Sequence, residues 1–143
     1  MPRFFTLLDA EAALPEVERL LRSIIGLKQQ FAAAAAELNA ILQRITLQGG
    51  ITAPLARVTE IRTRKDSAGG SLKSTVERLE QMGVLLKDVD TGLVDFPTIY
   101  RDKEVYLCWK LGESGIGFWH HVEDGFRGRQ AIDAEFLSNH RAE

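Results

Sequence analysis

At 143 residues and 16.0 kDa, the chain has room for one domain, or for one domain with an extended arm. A net charge of −2 and a pI near 5.9 give no general attraction to nucleic acid or to an anionic membrane surface. No apolar run approaches the roughly 20 residues that span a bilayer, and the lone Cys108 excludes an internal disulfide, so a cytoplasmic location is the expectation.

The charges and rings are unevenly distributed. Residues 1–83 hold 11 of the 18 Lys/Arg and 9 of the 20 Asp/Glu, which leaves 7 and 11 for residues 84–143. The second part also carries most of the aromatic residues. This step places an architectural boundary near Gly83, between a helical hairpin (1–83) and a β-rich module with a C-terminal tail (84–143).

At the N-terminus Asp9 and Glu11 interrupt any apolar stretch long enough for a signal peptide. Thr6-Leu7-Leu8-Asp9 has the form of a capping box, a hydroxyl followed three residues later by an acid. A short helical turn over 7–14 is expected to follow. Pro15 suits the first turn of a longer helix, and Glu16 and Glu18 complement its positive end. That helix is predicted over 15–47 and ends at Gln48-Gly49-Gly50.

Its apolar positions read Val17, Leu21, Ile24, Phe31, Ala35, Leu38, Leu42 and Ile45, a heptad pattern with Lys28 in one slot. A second helix is predicted over 53–82, opening at Thr52-Ala53-Pro54, with Val58, Ile61, Lys65, Ala68, Leu72, Thr75, Leu79 and Met82 as its seam. In an antiparallel pair, facing residues keep a constant sum of numbers. Ile45 with Val58, Leu42 with Ile61, Phe31 with Leu72 and Leu21 with Met82 all sum to 103. This register sets Ala32–Ala36 opposite Ser67-Ala68-Gly69-Gly70, and the second helix is read as continuous but kinked through the two glycines.

At 1.5 Å per residue the hairpin is about 50 Å long. Leu20, Leu27, Ala34 and Ile41 form a second stripe beside the seam. A stripe of that width favours packing on another copy, which gives a four-helix homodimer. The competing reading lays the β module over the same stripe.

After Gly83 the pattern changes to short β-rich runs separated by turn residues. Strands are expected at Val84–Val89, Leu93–Tyr100, Glu104–Leu111 and Ile116–Val122, with Pro97 confining the second to an edge or a bulge. A short helix is expected around Asp133–Leu137. The fold class is therefore α+β: a long, coiled-coil-like antiparallel helical hairpin followed by a small antiparallel β-meander.

Several residue groups suggest chemistry. Val89-Asp90-Thr91-Gly92 resembles the catalytic tripeptide of aspartic proteases, but the chain shows no second such loop, and Asp-Thr-Gly is also an ordinary hairpin turn. His120, His121 and Glu123 have the chemistry of divalent-metal ligands, although adjacent histidines on one strand point opposite ways. Gly125-Phe126-Arg127-Gly128-Arg129 offers backbone amides and two guanidiniums to a small anion, or makes a turn whose arginines pair with neighbouring acids. Cys108 lies mid-strand among aromatics and reads as core rather than as a nucleophile.

The runs Leu86-Lys87-Asp88, Gly92-Leu93-Val94-Asp95-Phe96-Pro97, Val105-Tyr106-Leu107-Cys108-Trp109, Leu111-Gly112-Glu113, Trp119-His120 and Gly125-Phe126 through Gly128-Arg129 resemble the prokaryotic domain-of-unknown-function family 2203. The opening Phe5-Thr6-Leu7 with Ala10, Leu14 and Pro15 is similar to that family's N-terminus. The resemblance implies a fold and leaves the activity open. It draws attention to Asp95, Glu113, His120 and Arg129, with Trp109 and Trp119 as the expected aromatic lining and Arg127 beside them.

Two readings follow. The first is a non-catalytic, oligomeric interaction protein whose hairpin dimerises and whose β module binds a partner or a small anionic ligand. The alternative is a small enzyme, such as a metal-dependent hydrolase, built around Glu113, His120, Asp95 and Arg129. Nucleic acid is disfavoured, because the basic residues are scattered and the aromatics lie in the acidic part.

Overall fold

A computed structural model describes residues 3–49 and 55–143. The elements run α1 (Leu7–Leu47), α2 (Leu55–Gln81), β1 (Leu85–Asp88), β2 (Leu93–Tyr100), β3 (Lys103–Lys110), β4 (Phe118–His121), a 3-10 turn (Phe126–Gly128), β5 (Gln130–Ala131), α3 (Ala134–Asn139) and β6 (His140–Arg141). The fold is α+β. The chain divides into two compact units: residues 1–22 with 76–143, and residues 23–75.

Helix α1 is one element of 41 residues with Pro15 inside it, not a turn over 7–14 followed by a new helix. Its start is set by the expected capping box. The Asp9 amide donates to Thr6 Oγ1 and the Thr6 amide donates to Asp9 Oδ2, each at 3.1 Å. Ala10 and Val17 are buried on either side of Pro15. Burial of the flanking turns holds the helix through a residue that removes one backbone donor.

In the unit formed by residues 23–75 the two helices pack in a register one turn away from the expected one. Ile61 clusters with Leu38 and Ala34, and Ile41 and Val58 pack against them. Leu38 with Ile61 sums to 99, and Phe31 with Gly69 to 100, rather than 103. Leu42, the expected partner of Ile61, is 43% exposed. On α2 the expected seam residues Val58 and Ile61 make these contacts. On α1 the seam uses Ala34 and Ile41, which the sequence reading had assigned to the outer stripe.

The physical reason lies in Phe31. Its ring occupies the space beside Gly69, where an added Cβ would come within 3.2 Å of it. The Lys65 ammonium sits 5.7 Å from the same ring. Outside the seam, Glu37 pairs with both Arg57 and Arg64. Helix α2 runs without a break through Gly69-Gly70. At the hairpin turn, Gly49 adopts a positive φ of 71°. The expected opening at Thr52-Ala53-Pro54 lies outside the described residues.

The other unit holds the sheet. Strands β1 to β4 form the expected antiparallel meander, β5 adds beside β4, and β6 pairs the end of β2. The β2–β3 hairpin closes through Arg101 and Asp102, both with positive φ (52° and 63°), the two-residue geometry that matches strand twist. Arg101 is paired with Glu135 and Asp102 with Arg141, which ties the turn to the C-terminal segment.

Pro97 lies inside β2, yet its position there is locally an edge. β1 pairs β2 as far as Asp95 and β6 begins at Ile99, so no strand pairs that side of Pro97. The Phe5 amide fills the gap by donating to the Pro97 carbonyl at 2.7 Å.

Candidate functional site

The strand pairing settles which residues share a face of the sheet. Asp95 lies opposite Cys108, Pro97 opposite Tyr106, Tyr106 opposite His120, and Cys108 opposite Phe118. Alternation along each strand then puts Asp95, Tyr106, Cys108, Lys110, Phe118 and His120 on one face. Val94, Phe96, Val105, Leu107, Trp109, Trp119 and His121 lie on the other.

That second face is an apolar core. Phe5 meets Phe96 edge-on at 5.3 Å, and Trp119 stacks on Phe136 at 5.0 Å. Trp109 is buried there, with its indole N–H donating to the Glu113 carbonyl. The two tryptophans therefore back the sheet and do not line the polar residues, contrary to expectation. His121 is on this face too, edge-on to Trp119, in a hollow of about 380 Å³ that includes Tyr100, Arg101 and Lys103. Glu123 is exposed beyond the strand. His120 and His121 thus point to opposite faces, and the sequence grouping of His120, His121 and Glu123 is not assembled.

The polar face carries a different group. His120 Nε2 lies 3.0 Å from Asp95 Oδ1, and its Nδ1 lies 2.8 Å from the His121 carbonyl oxygen. A carbonyl only accepts, so Nδ1 carries a proton. The Nε2–Oδ1 contact then holds one shared proton, on the imidazolium or on the carboxyl, and the pair is neutral in either case. Asp95 is 1% exposed and His120 3%, and Cys108 beside them is fully buried. Burial raises the Asp95 carboxyl above its ordinary value against the pull of His120. Burial beside Asp95 also pushes the Cys108 thiol up to about 12, so it stays a thiol near neutral pH. Asp95 Oδ, Cys108 Sγ and a His120 ring nitrogen all lie within 4.8 Å of one another.

Around this trio the same face is covered by charge and rings. Arg129 donates to Glu113 at 2.7 Å, and its guanidinium lies 3.8 Å from the Phe118 ring centroid and 4.6 Å from that of Phe126. Glu113 also accepts from the Lys110 amide at 2.8 Å. Lys87 sits over the Tyr106 ring. A hollow of about 200 Å³ adjoins, lined by Asp88, Thr91, Leu93, Lys110 and Phe126. Arg127 is exposed in the 3-10 turn. The Asp90-Thr91-Gly92 tripeptide is a turn braced by Asp88, which accepts from the Asp90 amide and the Thr91 hydroxyl.

Of the expected residues, Asp95 and His120 are brought together, and Glu113 and Arg129 form a second pair on the same side of the sheet. Cys108 is the member that sequence reasoning set aside. The signal was available: a two-residue turn at Arg101-Asp102 puts residue 95 opposite residue 108. His140 was also missed. Its Nε2 accepts from the Leu7 amide at 2.9 Å, tying the start of α1 to the C-terminal segment.

The model of the family described as "Uncharacterized conserved protein (DUF2203)" matches residues 3–132. The chain belongs to that family. The match takes in both halves of the sequence and every residue of the Asp95–Cys108–His120 and Glu113–Arg129 groups. No curated protein and no solved structure matches the chain.

Proposed function

We propose that this protein is a non-catalytic binding protein whose ligand site is the polar face of the sheet. The observation that carries this reading is the burial of Asp95, His120 and Cys108 as one contiguous group. Burying a carboxyl, an imidazole and a thiol together costs free energy that apolar residues in the same places would not. The opposite face shows that this chain builds an ordinary apolar core where packing is all that is needed.

In the catalytic alternative His120 would be the base. Both ring nitrogens of His120 are engaged, one by a carbonyl and one by Asp95. The thiol is far from a thiolate at neutral pH.

Thermal unfolding of the full chain against a panel of divalent metals, phosphate, sulfate and small carboxylates tests the reading. A ligand at 100 times its Kd adds about 2.7 kcal/mol of stability. The reading expects a stabilising ligand whose effect is lost in His120→Asn. A panel without any such ligand counts against it.

The hairpin's part in this proposal is self-association to a homodimer. Ala34 and Ile41 of the outer stripe are used within the chain, so support rests on the leucines toward the turn: Leu42, Leu47 and Leu55 are 43%, 86% and 77% exposed. Light scattering at micromolar concentration is expected to give a dimer, reduced to a monomer by Leu42→Lys with Leu47→Lys.

A further inference from the structure

We infer that Asp95, Cys108 and His120 form a binding site for one divalent transition-metal ion of the zinc class. The inference rests on the reading of the polar face as a ligand site and names the ligand chemistry for it.

Three different donor atoms converge here, a carboxylate oxygen, a sulfur and an imidazole nitrogen, all within 4.8 Å of one another. Zinc bonds of about 2.0–2.3 Å in a tetrahedral arrangement place ligand atoms about 3.3–3.8 Å apart. His120 Nε2 and Asp95 Oδ1, now 3.0 Å apart, need to open by a few tenths of an ångström. Side-chain rotation of Asp95 and Cys108 supplies the rest, since the two residues face each other across adjacent strands.

The imidazole is already oriented as a ligand. Its Nδ1 hydrogen is held by the His121 carbonyl at 2.8 Å, which leaves Nε2 to point into the group. A metal-bound histidine is ordinarily held in this way by a backbone carbonyl or carboxylate on its other nitrogen.

Charge conservation points the same way. Without a metal the group is neutral: it holds one proton shared by His120 and Asp95 and one on the Cys108 thiol. When a divalent ion enters, both protons leave to solvent. The site then holds a neutral imidazole, a carboxylate, a thiolate and a 2+ ion, again neutral. Metal for two protons is therefore an exchange that leaves no net charge in the buried layer. The soft sulfur with a single carboxylate selects a zinc-class ion over magnesium or calcium, which need several oxygen ligands. Three protein ligands leave a fourth position for water or for a second small ligand.

The test uses the full chain, stripped with a chelator, dialysed, and titrated calorimetrically with Zn²⁺ and spectroscopically with Co²⁺. The expected result is one ion per chain, a thiolate-to-cobalt charge-transfer band, and release of two protons, read by comparing buffers of different ionisation enthalpy. Cys108→Ser and Asp95→Asn are expected to weaken binding by about 100-fold or more, since loss of outer-shell partners alone costs about 10–100-fold. Glu123→Gln, at an exposed residue beyond the strand, is expected to leave affinity unchanged. Absence of binding by the parent chain overturns the inference, as does tight binding that survives Cys108→Ser. Stabilisation by phosphate or carboxylate without any metal binding overturns the metal assignment alone and keeps the binding reading. Absence of both overturns the two together.

Discussion

Both faces of the sheet have buried residues at their centre, yet they are built from different chemistry. One face is Val94, Phe96, Val105, Leu107 and Trp109, closed by Phe5 and Phe136, and its stability follows from apolar area removed from water. The other carries Asp95, Cys108 and His120 under Tyr106, Phe118 and Arg129. Burial of both centres with unequal composition separates packing from the proposed binding.

The comparison is broken most forcefully on the apolar side. Phe96→Ala removes a fully buried ring and is expected to cost about 3–5 kcal/mol. Loss of that magnitude in urea unfolding, without any change in ligand response per folded molecule, assigns this face to packing. On the polar side, Asp95→Ala leaves His120 without its partner and is expected to cost about 3–5 kcal/mol, because one half of a buried pair is stranded. The distinguishing feature is that the second loss is recoverable, by removing the other half as well.

Smaller effects sharpen the boundary conditions. Gly92 has φ 68°, and a Cβ there would lie 2.6 Å from that of Leu111. Gly92→Ala is therefore expected to destabilise the β1–β2 turn by about 1–3 kcal/mol, seen as a lowered unfolding midpoint. Thr6→Ala removes one half of the capping box and is expected to cost about 1 kcal/mol by the same measurement.

The slightest effect is on pH dependence. Hydrogen bonds from Thr6 hold the Asp9 carboxyl below its ordinary 3.8. A carboxyl with a lowered folded value contributes stability above pH 3.8 and loses it as pH falls through the lowered value. Asp9→Asn is expected to flatten the acid limb of the stability profile in that window. Unchanged curvature would remove the cap from the account.

Much of this architecture was legible in the sequence. The capping box, β2 from Leu93 to Tyr100 and the short helix after Asp133 are local signals, each set by a few adjacent residues. The hairpin was legible as a hairpin but read one turn out of register. On α1, positions 20, 27, 34 and 41 repeat as regularly as 21, 28, 35 and 42, and periodicity alone does not choose between them. The choice is made by the fit of Phe31 beside Gly69, a contact between residues far apart in the chain.

The site shows the same division. Asp95 and His120 were singled out by residue type, but their meeting depends on strand pairing across β3. Cys108 reads as core from its place mid-strand among aromatics, whereas its polar neighbours arrive from β2 and β4. That His120 and His121 point to opposite faces was legible from their adjacency on one strand.

The most direct test of the central claim is chemical denaturation of the ligand-free double variant Asp95→Val with His120→Leu, alongside the two single variants. If the polar face exists for binding, the double variant is as stable as the parent chain or more so, while ligand stabilisation is gone. A double variant that loses as much stability as the two single variants combined would contradict the account and make the buried pair a structural element.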